Sequence, residues 1–265
     1  MLQSANDWLH ALPLGWMAVV VFGLTFVVAA AIYAGVRTLA TGARGKSFKA
    51  VSPGMLPPLG ILFGLFVAFT ATQVWSDNDK AQTAVIHEAS ALRAVTILAS
   101  TFPGEPETHL RALVSHHIQD AVAQEWPMMA KRIATLTVTP YSLAEALQTV
   151  LALTPTTPGQ QIAQTQMVAQ LEIALESRRQ RILISGSQVG PVKWLCIFVQ
   201  AICALFAIAM VHSDDRLAAA MTMGIFATGV AASVFLIAAF DRPFLGQLAG
   251  SPQPMLQVMP AAQVR

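Results

Sequence analysis

His116, His117 and Asp120 are the residues whose types and spacing come nearest to a chemical site in this chain. His116 and Asp120 are four apart, so one helix face could offer both to a metal ion. A structural or catalytic metal needs three or four ligands, and the sequence offers no second cluster to complete the set. A solvated helix face is the better account of the pair, and no metal is expected. His87-Glu88 is followed five residues later by Arg93, a poor spacing for an ion pair within one helix. Glu88 therefore reads as a partner for another helix rather than as a general base. No nucleophile elbow, phosphate loop or dinucleotide fingerprint occurs. With no convergent acid, base and nucleophile, no catalytic residue and no cofactor is expected.

A different chemistry is suggested by polar side chains set in apolar surroundings. They are Thr70, Thr72, Gln73, Gln200, Thr222, Thr228 and Ser233. Hydroxyls commonly bond back to their own helix and read as structural. Gln200 has an amide with no such outlet; it must find partners in another helix or line a cavity that holds water. These residues sit in four long apolar runs, at 12–36, 55–75, 192–211 and 217–240, and Lys193 is the one charged residue in them. About 20 apolar residues suffice to cross a bilayer core of about 30 Å as a helix. The absence of acidic or basic groups deep in the runs argues against a proton-coupled pump.

Composition agrees. Mean hydropathy is +0.57 and charged residues are 11% of the chain, against about 25% in soluble domains. A net charge of +2 without a basic cluster gives no sign of a nucleic-acid partner. Cys196 and Cys203 both lie in the third run, where a bridge within one helix is geometrically excluded, and they read as small buried hydrophobes. The first 36 residues contain no Lys or Arg, so a cleavable leader is not expected and the first run is read as retained. The fold class is an all-α integral membrane protein: four transmembrane helices, with a helical extramembrane domain inserted between spans two and three at 77–188.

Within that domain an apolar stripe (Val85, Ala89, Leu92, Val95, Ala99, Phe102) predicts a helix from Asp79 to Phe102, stopped by Pro103-Gly104. A second helix starts near Pro106, and a third near Thr139-Pro140 with Thr139 as its cap. A last one runs from about Gln160 to Ile184. Large parts are expected to be continuous with spans two and three. The segment 245–265, rich in Pro, Gln and Ala, is expected to be a mobile tail. In the second run Gly60 and Gly64 are four apart and predict close helix packing.

Orientation is balanced. With an even number of spans, both termini and the domain share one side. The short loops opposite carry Arg37, Arg44, Lys46, Lys49 and Arg216, while seven basic residues flank the spans on the domain side. Counting short loops puts the first set in the cytoplasm; counting all flanks puts the domain there.

The second run, Pro58-Leu-Gly-Ile-Leu-Phe-Gly64-Leu-Phe-Val-Ala-Phe-Thr-Ala-Thr-Gln-Val-Trp75, resembles the second membrane helix of bestrophins. Asp241-Arg-Pro243-Phe244-Leu-Gly246 resembles the Asn-Pro-Phe-Gly stretch after their last helix. More closely, the order of His87-Glu88-Ala-Ser-Ala-Leu92, Glu125-Trp126-Pro127, Arg178-Arg179-Gln-Arg181 and Asp241-Arg-Pro243-Phe244 is similar to the bacterial bestrophin-like domain family. In these motifs Glu88, Trp126, Arg178, Arg181, Asp241, Pro243 and Phe244 carry the likeness. The resemblance implies a homo-oligomeric, pentameric, anion-permeable channel in a bacterial inner membrane, with the domain in the cytoplasm. The lipid bilayer, further copies of the chain and inorganic ions are then its partners.

By the same resemblance, Pro57, Ile61 and Leu65 correspond to the apolar neck. Phe69 is grouped with them, although it, Phe63 and Phe66 could face either pore or packing. The chain departs from bestrophins where neck aromatics are aliphatic, where the exit reads Gln73-Val74-Trp75, and where the acidic calcium-binding run is replaced by Gln247-Leu-Ala-Gly. A calcium clasp is not expected. Rings of Arg44, Lys46 and Lys49 would draw anions to one mouth. The rival reading is a membrane-anchored sensor or scaffold without a conduction path.

Overall fold

The structure, a computed structural model, describes residues 12–40, 52–137 and 140–260. Among the described residues it is built of helices with no strands: α1 (Leu14–Leu39), α2 (Leu56–Ala99), α3 (Glu105–Asp120), a π-helical turn (Ala121–Glu125), α4 (Trp126–Ala130), α5 (Tyr141–Ala152), α6 (Pro158–Ser185), α7 (Pro191–Val211), α8 (Arg216–Phe240) and the short α9 (Gln253–Gln257). The helices α1, α2 with the 3₁₀ turn before it, α7 and α8 are long and apolar enough to cross a membrane. The all-α membrane class therefore stands.

Local chemistry sets the ends. Pro158 and Pro191 open α6 and α7, where a missing N–H costs nothing because it has no intrahelical partner. Thr157 caps α6 by accepting from Gln160 N, and Asp215 caps α8 by accepting from Leu217 N and Ala218 N. Gly104, ahead of α3, has φ of 101°, a conformation L side chains rarely adopt.

The chain divides into two compact units, one drawn from 1–76, 188–242 and 246–248, the other from 77–187, 243–245 and 249–265. In the first, Met17 and Val21 of α1 pack with Phe63 and Val74 of α2, Ile197 of α7, and Val230 and Ile237 of α8. A second cluster joins Ile32 and Val36 to Leu205, Ile208 and Met223. Alanines at 201, 204, 207 and 209 of α7 and at 219, 227, 231 and 238 of α8 are buried; small residues let helices approach where lipid supplies no hydrophobic drive. In the second unit, Val85, Leu92 and Val95 of α2 pack with Leu110, Val114 and Ile118 of α3, Leu143 and Val150 of α5, and Met167 and Leu171 of α6.

The expected continuity of the domain with span two holds: residues 56–99 form one uninterrupted helix, with no break at Asp79. Its 44 residues extend about 66 Å, twice a bilayer core. Two expectations change. Continuity fails at the other end, where α6 stops at Ser185 and α7 starts only at Pro191; Pro191 lacks the N–H a continuing helix needs. The mobile tail is replaced, as far as Pro260, by packed chain. Gln247 Oε1 accepts from Leu14 N, Gly250 O accepts from Trp126 Nε1, and Met255 of α9 is fully buried. Thr139, the expected cap of α5, lies outside the described residues.

Leu171 is completely buried on α6. Leu171→Ala should therefore lower the unfolding free energy by about 2–5 kcal/mol, while Leu183→Ala on the exposed side of the same helix should change it by less than about 0.5 kcal/mol. Chemical unfolding in detergent followed by tryptophan fluorescence checks both.

Candidate functional site

Helix α2 buries one side and leaves the other without a partner among the described residues. Phe63 is buried in tilted contact with Phe226, ring centroids 5.7 Å apart. Thr70, Ala71 and Val74 are buried on the same side. On the opposite side Pro57 is exposed, and Ile61, Leu65 and Phe69 expose 69%, 51% and 68% of their surface. A step of four residues advances a helix by about 40°, so the four form one gently drifting arc. The structure thus separates the three aromatics: Phe63 belongs to the packing side, Phe66 is half-buried against the core, and Phe69 lies on the arc.

The space beside the glycine pair is open. A Cβ built on Gly60 or Gly64 would meet nothing within 4 Å. Each therefore has room for a methyl group beside it among the described residues.

The polar groups of this unit fall into two kinds. Thr70, Thr72, Thr222, Thr228 and Ser233 all donate to carbonyls four residues back in their own helices. Gln73 and Gln200 differ. Gln73 Oε1 accepts from Lys193 Nζ of α7. Gln200 Oε1 and Trp194 Nε1 are buried with no partner among the described residues. Arg44, Lys46 and Lys49 lie outside the described residues. Asp241 is buried and accepts from Val189 N at 2.5 Å, which holds the end of α8 to the segment before α7.

In the second unit a buried ionic cluster gathers residues far apart in sequence. Arg181, completely buried on α6, donates from Nε to Glu88 Oε2 at 2.8 Å and from Nη2 to Glu88 Oε1 at 3.1 Å. The same Nη2 reaches Glu125 Oε2 at 2.8 Å, and Nη1 contacts Met129 Sδ at 3.5 Å. Glu125 Oε1 accepts from Arg178 Nε at 2.7 Å and Nη2 at 2.6 Å. His117 Nε2 lies 2.9 Å from Glu88 Oε1. The Trp126 ring stacks under the Arg181 guanidinium at 5.2 Å, a cation–π contact. Phe244 meets Trp126 edge-on at 5.6 Å, and the neighbouring Pro243 O accepts from Gly250 N at 2.8 Å.

Two local devices build the cluster. The π turn at Ala121–Glu125 inserts extra backbone, which rotates the helix beyond it by about 100° and brings Glu125 and Trp126 both to the arginines. His116 and His117 take opposite directions. His116 Nδ1 turns outward to Asp120 at 3.0 Å and Ser142 Oγ at 3.1 Å, while His117 enters the cluster. Among the described residues no group of three His, Cys, Asp or Glu could hold a metal ion.

The electrostatics favour fixed charges. Burial alone would raise the Glu88 carboxyl; the Arg181 guanidinium and His117 outweigh it and hold the group at about 2 against an ordinary 4.5. Burial likewise would lower Arg181, but Glu88 and then Glu125 push it above its usual range. Two carboxylates face two guanidinium groups, so these charges balance, and neither Glu88 nor Arg181 exchanges a proton near neutral pH.

A family model described as Bestrophin-like domain matches residues 23–255. The chain belongs to the bestrophin-like family. Two crystal structures of single-site variants of a bacterial bestrophin homolog from Klebsiella pneumoniae align with a TM-score of 0.70, at 12% and 11% identity. They cover 91% of this chain and 97% and 96% of theirs. A further variant of that homolog gives 0.66 at 12% identity, covering 92% and 95%. No curated protein sequence matches. At these identities the likeness shows the bestrophin fold.

In the second unit the bestrophin-like motifs meet in space. Glu88, Trp126, Arg178 and Arg181 converge on one buried cluster, with Phe244 against Trp126. Glu125 and His117 complete that cluster, although sequence reasoning found no pairing for either. The one hint was the adjacency of Glu125 to Trp126 and of His117 to the outward His116. Lys193 on Gln73 was likewise unforeseen.

Because the Glu88 carboxyl is held below its unfolded value, its stabilisation is complete above about pH 4.5 and is lost as pH falls toward about 2. Glu88→Gln should cost about 3–5 kcal/mol at pH 7 by leaving Arg181 underpaired. It should also flatten the acid loss between pH 4.5 and 2, as read by thermal unfolding across pH.

Proposed function

We propose that this bestrophin-like protein is a homo-oligomeric ion channel, a pentamer, in which α2 of each copy lines an apolar neck through Pro57, Ile61, Leu65 and Phe69. The observation that carries the reading is the unpartnered arc of α2. Lipid-facing apolar surface also covers α1, α7 and α8, so exposure alone does not mark a pore. The α2 arc differs in composition: it opens with Pro57-Pro58, includes Gly64, and ends at Thr72 and Gln73, uncharged polar groups that suit an exit to water. Gly60 and Gly64 then leave room for a second copy. Family membership and the bestrophin fold support the same reading.

An apolar neck holds no fixed charge. Passage depends on its width and on how readily an ion sheds water there, which favours large, weakly hydrated anions over chloride. The protein resides on this reading in a bacterial inner membrane, with the 77–188 domain and both termini in the cytoplasm.

The test is purified protein in liposomes, imaged for five-fold symmetry and assayed for ion flux. Cysteine at Ile61 or Leu65, with Cys196 and Cys203 replaced, should react with a water-soluble thiol reagent, and cysteine at Phe63 should not. Protection at both arc positions would reject the pore. For orientation, a reporter fused after Arg265 that works only outside the cytoplasm should stay silent.

A further inference from the structure

Lys193 is the one charged residue within the four apolar runs. It stands in the first turn of α7, and its ammonium donates to the side-chain oxygen of Gln73 on α2. Among the described residues no carboxylate pairs with it. A lysine bound to an amide keeps its whole charge; one bound to a carboxylate is largely cancelled at a distance. Gln73 follows Phe69 by four residues, so it sits about 40° further round α2, at the border between the exposed arc and the buried side. Val74 beside it is buried, and Thr72 is exposed.

The pairing therefore brings the charge from α7, a helix with no part in the proposed neck, to the edge of the proposed pore surface at its Gln73 end. We propose that Lys193, positioned by Gln73, is a charge-selectivity determinant of this protein: a fixed cation beside the conduction path that raises anion over cation passage. The inference rests on the pore assigned to α2 above. In a ring of copies the charges would repeat around the axis and concentrate anions locally, an effect that screening weakens as salt rises. The neck residues Pro57, Ile61, Leu65 and Phe69 carry no charge, so the sign must come from groups at its ends, of which Lys193 is one.

The experiment reconstitutes the full chain in liposomes and measures the chloride-to-potassium permeability ratio from reversal potentials under a potassium chloride gradient. Lys193→Glu should lower the ratio by about threefold or more, with a larger change at low salt. Lys193→Arg, which keeps the charge, should leave it within about a factor of two. Gln73→Glu, which pairs the ammonium, should lower it in the same direction. To separate selectivity from folding, Lys193→Cys on a background lacking Cys196 and Cys203 is reconstituted first and charged afterwards. A cationic thiol reagent should restore the ratio and an anionic one should depress it further.

Wild-type flux with a ratio unchanged by Lys193→Glu and by both reagents would overturn the inference while leaving the pore intact; that is the behaviour of a lysine that only anchors headgroups. No flux through the wild-type protein would overturn both the pore and this role.

Discussion

A fully buried guanidinium is the constraint from which the second unit is built. Removing Arg181 from water costs several kcal/mol unless every N–H finds a partner. It finds Glu88 on α2, Glu125 on the π turn and the sulfur of Met129, with the Trp126 ring beneath. Each partner fixes a piece of structure. Glu88 sets which side of α2 faces α6. Glu125 demands the π turn, since an unbroken α-helix would present a different residue. His117, bonded to Glu88, fixes the rotation of α3. A cluster of this kind is weak evidence of net stability, because apolar residues of equal volume often do as well. What it does is tie α2, α3 and α6 together through directional contacts, beside apolar contacts among Leu, Val and Ala that carry no such direction.

The parts of the fold readable in the sequence are those governed by local rules. Four apolar runs of spanning length, Pro103-Gly104, Pro158 and Pro191 act through the bilayer's thickness and the backbone, and need no knowledge of partners. The cluster could not be read in this way. Arg181 and Glu88 are 93 residues apart, and nothing near either names the other. The π turn is invisible too, since Ala121-Val-Ala-Gln-Glu125 has ordinary helical composition; its cause lies across the core. The tail shows the same limit from the other side. Pro, Gln and Ala suggest mobility, yet Met255 is fully buried because a distant core has a place for it. At Gly60 and Gly64 the pattern of small residues predicts a close approach, and the space beside both is open among the described residues.

Membership of a family at about 12% identity to a bestrophin of the same fold has a physical explanation in how the two faces of α2 are constrained. The packed face must supply Phe63, Ala71 and Val74 to a core shared with α1, α7 and α8. Many apolar residues of suitable volume meet that demand, so sequences diverge while the fold holds. The exposed arc is under no folding demand from the rest of the described chain. Ile61, Leu65 and Phe69 are largely exposed, so the size and shape of these side chains can vary without cost to the fold. Function grafted on a fold resides in such positions. The same freedom applies to the charge at Lys193, whose link to Gln73 lies at the surface and organises no core. The surface this protein presents along the α2 arc is therefore set by residues that folding leaves free to vary, so proteins that share the fold can differ there.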